Sequence, residues 1–117
     1  MKPRILFVCL GNIWRSPAAE AVLRARSDAP CDSAGTGDWH VGDPPYGPML
    51  EALARRGFDG SALRARQFQS ADFDAFDLIL AMDAKNLRDI ERLRRGTTPV
   101  RLLTSFLADG PDAGPDP

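Results

Sequence analysis

The run Ile5-Leu6-Phe7-Val8-Cys9 carries no charged side chain and gives way to the turn pair Gly11-Asn12. A short continuous apolar run closed by a turn reads as a strand buried on both faces, here residues 4–9. The pattern then changes period. Ser16 can cap a helix, Pro17 suits a first helical position, and Ala18, Ala21, Val22 and Ala25 recur at helical spacing. A buried strand feeding a helix through a tight turn restricts the chain to few folds, and the rest of the sequence repeats the theme. Residues 31–35 read as a second strand and 35–47 as a Gly/Pro-rich loop. Residues 48–57 read as a helix, 76–82 as a third strand, 84–96 as a helix with Leu87, Ile90 and Leu93 on one face, and 99–103 as a fourth strand. Alternation of this kind predicts an α/β fold: a four-stranded parallel sheet of Rossmann-like, three-layer type, flanked by helices. With 117 residues, one domain spanning 1–117 is expected. Ligands of such sheets bind at the carboxyl ends of the strands, which puts Cys9 in the crevice.

Composition narrows the function. Fifteen basic and sixteen acidic residues leave a net charge of −1, with no excess to neutralise a nucleic-acid backbone. The longest apolar run is too short to cross a bilayer. No export signal is evident, so a cytoplasmic location is expected, with Cys9 and Cys31 as thiols. One His and two widely spaced Cys do not make a metal site.

The loop after the first strand has its own chemistry. Backbone N–H groups curling into a helix N-terminus form an anion nest. Gly11 lets the chain curl, Asn12 tolerates left-handed torsions, and Arg15 offers a planar fork for oxyanion oxygens. A thiol beside a helix N-terminus and an arginine titrates in the range of roughly 3.5–7.5, so Cys9 is expected to be a thiolate facing the bound anion. Facing phosphorus, a thiolate is a nucleophile. Two other phosphate motifs fail. The Walker pattern lacks its second Gly and its Lys, and residues 35–40 start like a dinucleotide fingerprint but put His40 where the third Gly belongs.

The stretch VCLGNIWRSPAAEAVLR resembles the C-x5-R-S signature of the low-molecular-weight protein tyrosine phosphatases, with Gly-Asn inside the loop. The segments DSAGTGDWHVGDPP, ARQF, DFDAFDLILAMDAKNL and GPDP resemble that family in its order. The resemblance implies hydrolysis of phosphotyrosine in protein substrates, without a cofactor, by a monomer that also binds inorganic phosphate or other oxyanions. Cys9 would be the nucleophile. Arg15 would bind the phosphoryl oxygens, and Leu10, Gly11, Asn12, Ile13, Trp14, Arg15 and Ser16 would form the phosphate cradle. Ser16 would stabilise the thiolate, Ser33 would support Asn12, Trp39 would wall the substrate ring, and His40 and Asp83 would be structural. The general acid would be the Asp of a late Asp-Pro step, matched by Asp116-Pro117. Asp112 and a residue beyond 117 are the alternatives. The family also carries two tyrosines after that step and a final helix. Neither is in this sequence, so a chain truncated at its C-terminus is expected.

Two positions depart from the family. Trp14 stands where a second Cys is common, so oxidation of Cys9 is expected to run to sulfenic and higher acids without an in-loop disulfide. Leu63 stands where a His usually packs against the loop Asn. Three rival readings share parts of the pattern. An arsenate reductase needs two relay cysteines, and only Cys31 remains. A protein-arginine phosphatase would resemble this loop with Thr in place of Ile13. A non-catalytic phosphate-binding module would need no acid.

Overall fold

The computed structural model describes residues 2–106. The strands are β1 (Ile5–Cys9), β2 (Cys31–Gly35), β3 (Leu78–Ala81) and β4 (Val100–Leu102). They form one sheet in the order β2-β1-β3-β4, and every pairing is parallel. The helices are α1 (Arg15–Arg26), α2 (Gly47–Arg55), α3 (Asp72–Ala75) and α4 (Ala84–Glu91), and a 3-10 turn (Leu103–Phe106) follows β4.

Alternation along the strands builds two cores. Leu6 and Val8 of β1 point to one face, where Ala34, Ile79, Ala81 and Val100 meet Phe73 of α3 and Ile90 of α4. Phe7 and Cys9 point to the other face, with Cys31, Leu80 and Met82, and Ala19 and Leu23 of α1 pack there. Both faces of β1 are therefore apolar, as its unbroken run required. A third cluster, Ala21, Met49 and Leu53, joins α1 to α2. The expected four-stranded parallel α/β architecture is the one observed.

Two local expectations are corrected. Helix α1 begins at Arg15, with Trp14 at the cap position and no side-chain cap, so Ser16 lies inside the first turn and not before it. Its hydroxyl is engaged in the loop instead (below). Helix α4 ends at Glu91, not at 96. There Leu93 and Arg94 donate to the carbonyls of Ile90 and Glu91, three residues back, and the Arg94 guanidinium reaches on to the carbonyls of Gly96 and Thr98. The chain thus tightens and turns toward β4. Leu93, which helical periodicity put beside Ile90, is 45% exposed, whereas Ile90 is fully buried.

The pair makes a test. Ile90→Ala should destabilise the fold by about 2–5 kcal/mol in urea denaturation, and Leu93→Ala by less than about 0.5 kcal/mol. Equal costs would put Leu93 back in the core.

Candidate active site

Strand β1 ends at Cys9, and the next residues wrap around its thiol. Asn12 has φ 57, the one positive φ outside glycine among the described residues. That left-handed turn carries the chain back over the strand end, so the Asn12 N–H donates to Cys9 Sγ at 3.2 Å. Asn12 is 2% exposed, and both ends of its side-chain amide are bonded. Its Nδ2 donates to Ser16 Oγ at 2.9 Å, and its Oδ1 accepts from the Arg66 N–H at 2.8 Å. Ser16 Oγ lies 3.0 Å from Cys9 Sγ. With Asn12 donating to the Ser16 oxygen, the Ser16 hydrogen can point at sulfur. Two donors can thus converge on one sulfur.

A pocket of about 180 Å³ opens above this thiol. It is lined by Cys9, Leu10, Gly11, Ile13, Trp14 and Arg15 from the loop, and by Trp39 and His40 from the opposite wall. Asn12 and Ser16 do not line it; they are buried behind the loop as its bracing. Among the described residues, no protein acceptor takes the N–H groups of Gly11, Ile13, Trp14 or Ser16. These donors sit at the N-terminus of a twelve-residue helix, which adds its positive dipole end. Arg15 reaches Asp83 Oδ2 at 3.1 Å, with both side chains partly buried. Asp83 caps α4 by accepting from the Asn86 N–H at 2.7 Å. Burial alone would raise the Asp83 carboxyl, but the Asn86 N–H bond and the Arg15 ion pair outweigh it and hold Asp83 below the usual aspartate range. A carboxylate that stays ionised keeps its ion pair with the Arg15 guanidinium.

The loop can sit so close to β2 because residue 35 is glycine. A Cβ on Gly35 would come within 2.7 Å of the Leu10 carbonyl oxygen and 3.0 Å of the Asn12 nitrogen. Gly11 faces a side chain instead of backbone: His40 Cδ2 would lie 3.0 Å from an added Cβ. His40 is fixed in turn by Asp43, with Nδ1 to Oδ2 at 3.1 Å. Trp39, 71% exposed, stands at the pocket mouth. Trp14 packs on Tyr46, with ring centroids 4.9 Å apart, and the Tyr46 N–H donates to the Ile13 carbonyl at 2.7 Å.

A sequence profile of the low molecular weight phosphotyrosine protein phosphatases matches residues 4–115. The chain belongs to this family. A relative from Synechocystis is 53% identical over 94 residues, covering 74% of this chain but 59% of that protein. The low molecular weight protein-tyrosine-phosphatase YfkJ of Bacillus subtilis is 40% identical, over 97% of this chain and 79% of YfkJ. The YfkJ crystal structure matches with a TM-score of 0.89 at 38% identity, covering all of this chain and 80% of the other. Wzb of Vibrio vulnificus, solved in complex with benzylphosphonate, matches with a TM-score of 0.85 at 27% identity, over all of this chain and 82% of Wzb.

Within the phosphatase family frame, the structure alters several sequence readings. Ser33 does not bond Asn12. Its hydroxyl donates to the buried Glu20 carboxylate at 2.6 Å, because β2 turns Ser33 toward α1. The acceptor side of Asn12 is served instead by the Arg66 N–H, which sequence reasoning missed. Leu63, in the position of the family's His, packs against the cluster that joins α1 and α2. Asp83 touches Arg15 directly, a contact that its helix-capping position did not reveal. Cys31 pairs in register with Ile5, at the far end of β1 from Cys9. Four extended residues separate the two levels, about 13 Å, beyond the roughly 7 Å that a disulfide spans between Cα atoms. The expected acids Asp112 and Asp116 lie outside the described residues.

Gly35→Ala tests the close approach in this phosphatase-family chain. The added methyl should cost about 1–3 kcal/mol in thermal or urea unfolding, because it meets backbone that cannot rotate away. An unchanged midpoint would mean that the loop does not rest on β2.

Proposed function

We propose that the chain hydrolyses phosphotyrosine monoesters through a cysteinyl-phosphate intermediate. The observation that carries this reading is the placement of the Cys9 thiol and the Arg15 guanidinium on one pocket, beneath donors with no protein acceptor. That arrangement suits a tetrahedral dianion better than a neutral ligand.

In the first step Cys9 Sγ attacks phosphorus in line with the leaving phenolic oxygen. The S–P bond forms as the P–O bond breaks. Arg15 and the loop N–H groups bind the three equatorial oxygens as charge spreads over them. A carboxylic acid gives its proton to the departing oxygen, which contributes about 10²–10⁴-fold. Asp116 is assigned this role, with Asp112 as the alternative. In the second step the resulting carboxylate takes a proton from water. The water oxygen attacks phosphorus, and the thiolate leaves with help from the Ser16 hydroxyl. Phosphate is released and Cys9 returns to its starting state. Asn12 shapes the loop throughout.

Trp39 supplies one flat wall for an aryl ring, and the Trp14–Tyr46 pair supplies another aromatic surface beside the loop. Benzylphosphonate on Wzb is a tetrahedral anion carried by a benzyl group, the shape expected of a phosphotyrosine side chain. The partner is therefore a phosphotyrosine-containing protein, with inorganic phosphate as the product and a weaker occupant. Within this reading the chain acts as a monomer. A reducing cytoplasm would keep Cys9 reactive, and no described helix is long and apolar enough to cross a membrane.

Phosphotyrosine peptides should be hydrolysed far faster than phosphoarginine peptides. Cys9→Ser should lower turnover at least about a thousandfold while phosphate still binds by calorimetry. Full turnover by Cys9→Ser would end the reading, and preference for phosphoarginine would replace the substrate.

A further inference from the structure

Behind the loop, away from the pocket, lies a cluster of charges to which the mechanism gives no part. Arg66 sits between α2 and α3 and faces two carboxylates from different elements. Its Nε donates to Asp32 Oδ2 of β2 at 3.0 Å. Its Nη1 and Nη2 each donate to Asp72, at the start of α3, at 3.1 Å. Asp72 is 7% exposed and also accepts the Gln69 N–H at 2.8 Å. A two-pronged guanidinium–carboxylate contact fixes both position and orientation. The same residue is bonded along its backbone. Its carbonyl accepts the Gly35 N–H at 2.8 Å, and its N–H holds Asn12 Oδ1 at 2.8 Å.

The contacts therefore run in one unbroken line from Asp72 and Asp32 through Arg66 and Asn12 to Ser16 and Cys9. Asn12 holds a left-handed turn, which an asparagine enters at lower cost than most residues but still less readily than a glycine. Of its two side-chain bonds, the one to Ser16 leads to the first turn of α1, four residues on, and the one from the Arg66 N–H reaches a segment 54 residues away.

We propose that Asp32, Arg66 and Asp72 form a positioning clamp that sets the reactivity of Cys9 by holding Asn12 in its left-handed turn. The clamp touches neither substrate nor sulfur. It acts through the single N–H at Arg66. The inference deepens the phosphatase reading and rests on it for turnover, but the reactivity of Cys9 can be read with no substrate present.

The test combines two readouts. Alkylation of Cys9 by iodoacetamide at neutral pH, followed on the Cys9 peptide by mass spectrometry, should slow about fivefold in Arg66→Met. It should slow about twofold in Asp32→Asn, whose partly exposed side chain can be changed with the fold retained. Turnover of p-nitrophenyl phosphate should fall about tenfold in kcat for Arg66→Met, with KM changed less than twofold. In the Asn12→Ala background, Arg66→Met should add less than twofold, because the link it breaks is already gone. Wild-type alkylation in folded Asp32→Asn and Arg66→Met would overturn the clamp, as would equal costs of Arg66→Met in both backgrounds. If Arg66→Met does not fold, the Asp32→Asn alkylation rate decides alone. Turnover that survives Cys9→Ser would end the phosphatase reading and leave the alkylation result standing.

Discussion

The bond between the Arg66 N–H and Asn12 Oδ1 ties the left-handed turn of the loop to the body of the protein. Without that turn, the Asn12 N–H does not face Cys9 Sγ, and Ser16 loses the donor that orients its hydroxyl. An asparagine suits the position on two grounds. It enters left-handed backbone at lower cost than most residues, and its amide both donates and accepts. Here both ends are used and the group is buried, so removing either partner strands a polar atom away from water.

The sheet decides where this turn sits. Its order β2-β1-β3-β4 puts β1 inside, flanked by β2 and β3. The end of β1 presents Cys9, and the end of β3 leads into Asp83, the partner of Arg15. The missing side chain of Gly35 lets the loop rest on the end of β2. Three strand ends thus converge on one loop. The ordinary strand-end rule for parallel sheets becomes a chemical arrangement here because each end carries a different group: a thiol, a glycine and a carboxylate.

Much of this was legible in the sequence, and the rest was not for identifiable reasons. The strand, the loop and the start of α1 are contiguous, so residues 4–17 display the site's skeleton directly. The loop's bracing is not contiguous. Arg66 is 54 residues from Asn12, and Asp83 is 68 from Arg15. No local pattern reports such contacts. Ser33 was assigned to Asn12 although its strand faces it toward Glu20. Periodicity alone extends α4 to 96, because Leu93 keeps the helical period past Glu91, where the Arg94 contacts turn the chain aside. Ser16 does not cap α1, because it lies inside the first turn and its hydroxyl engages Cys9 and Asn12.

The central claim is that Cys9 takes the phosphoryl group. Acid-quenched mass spectrometry during turnover of a phosphotyrosine peptide tests it most directly. The account predicts a transient phosphoryl group on the peptide that carries Cys9, lost as free phosphate accumulates. A phosphoryl group on another residue, or steady turnover through no covalent intermediate, would contradict it.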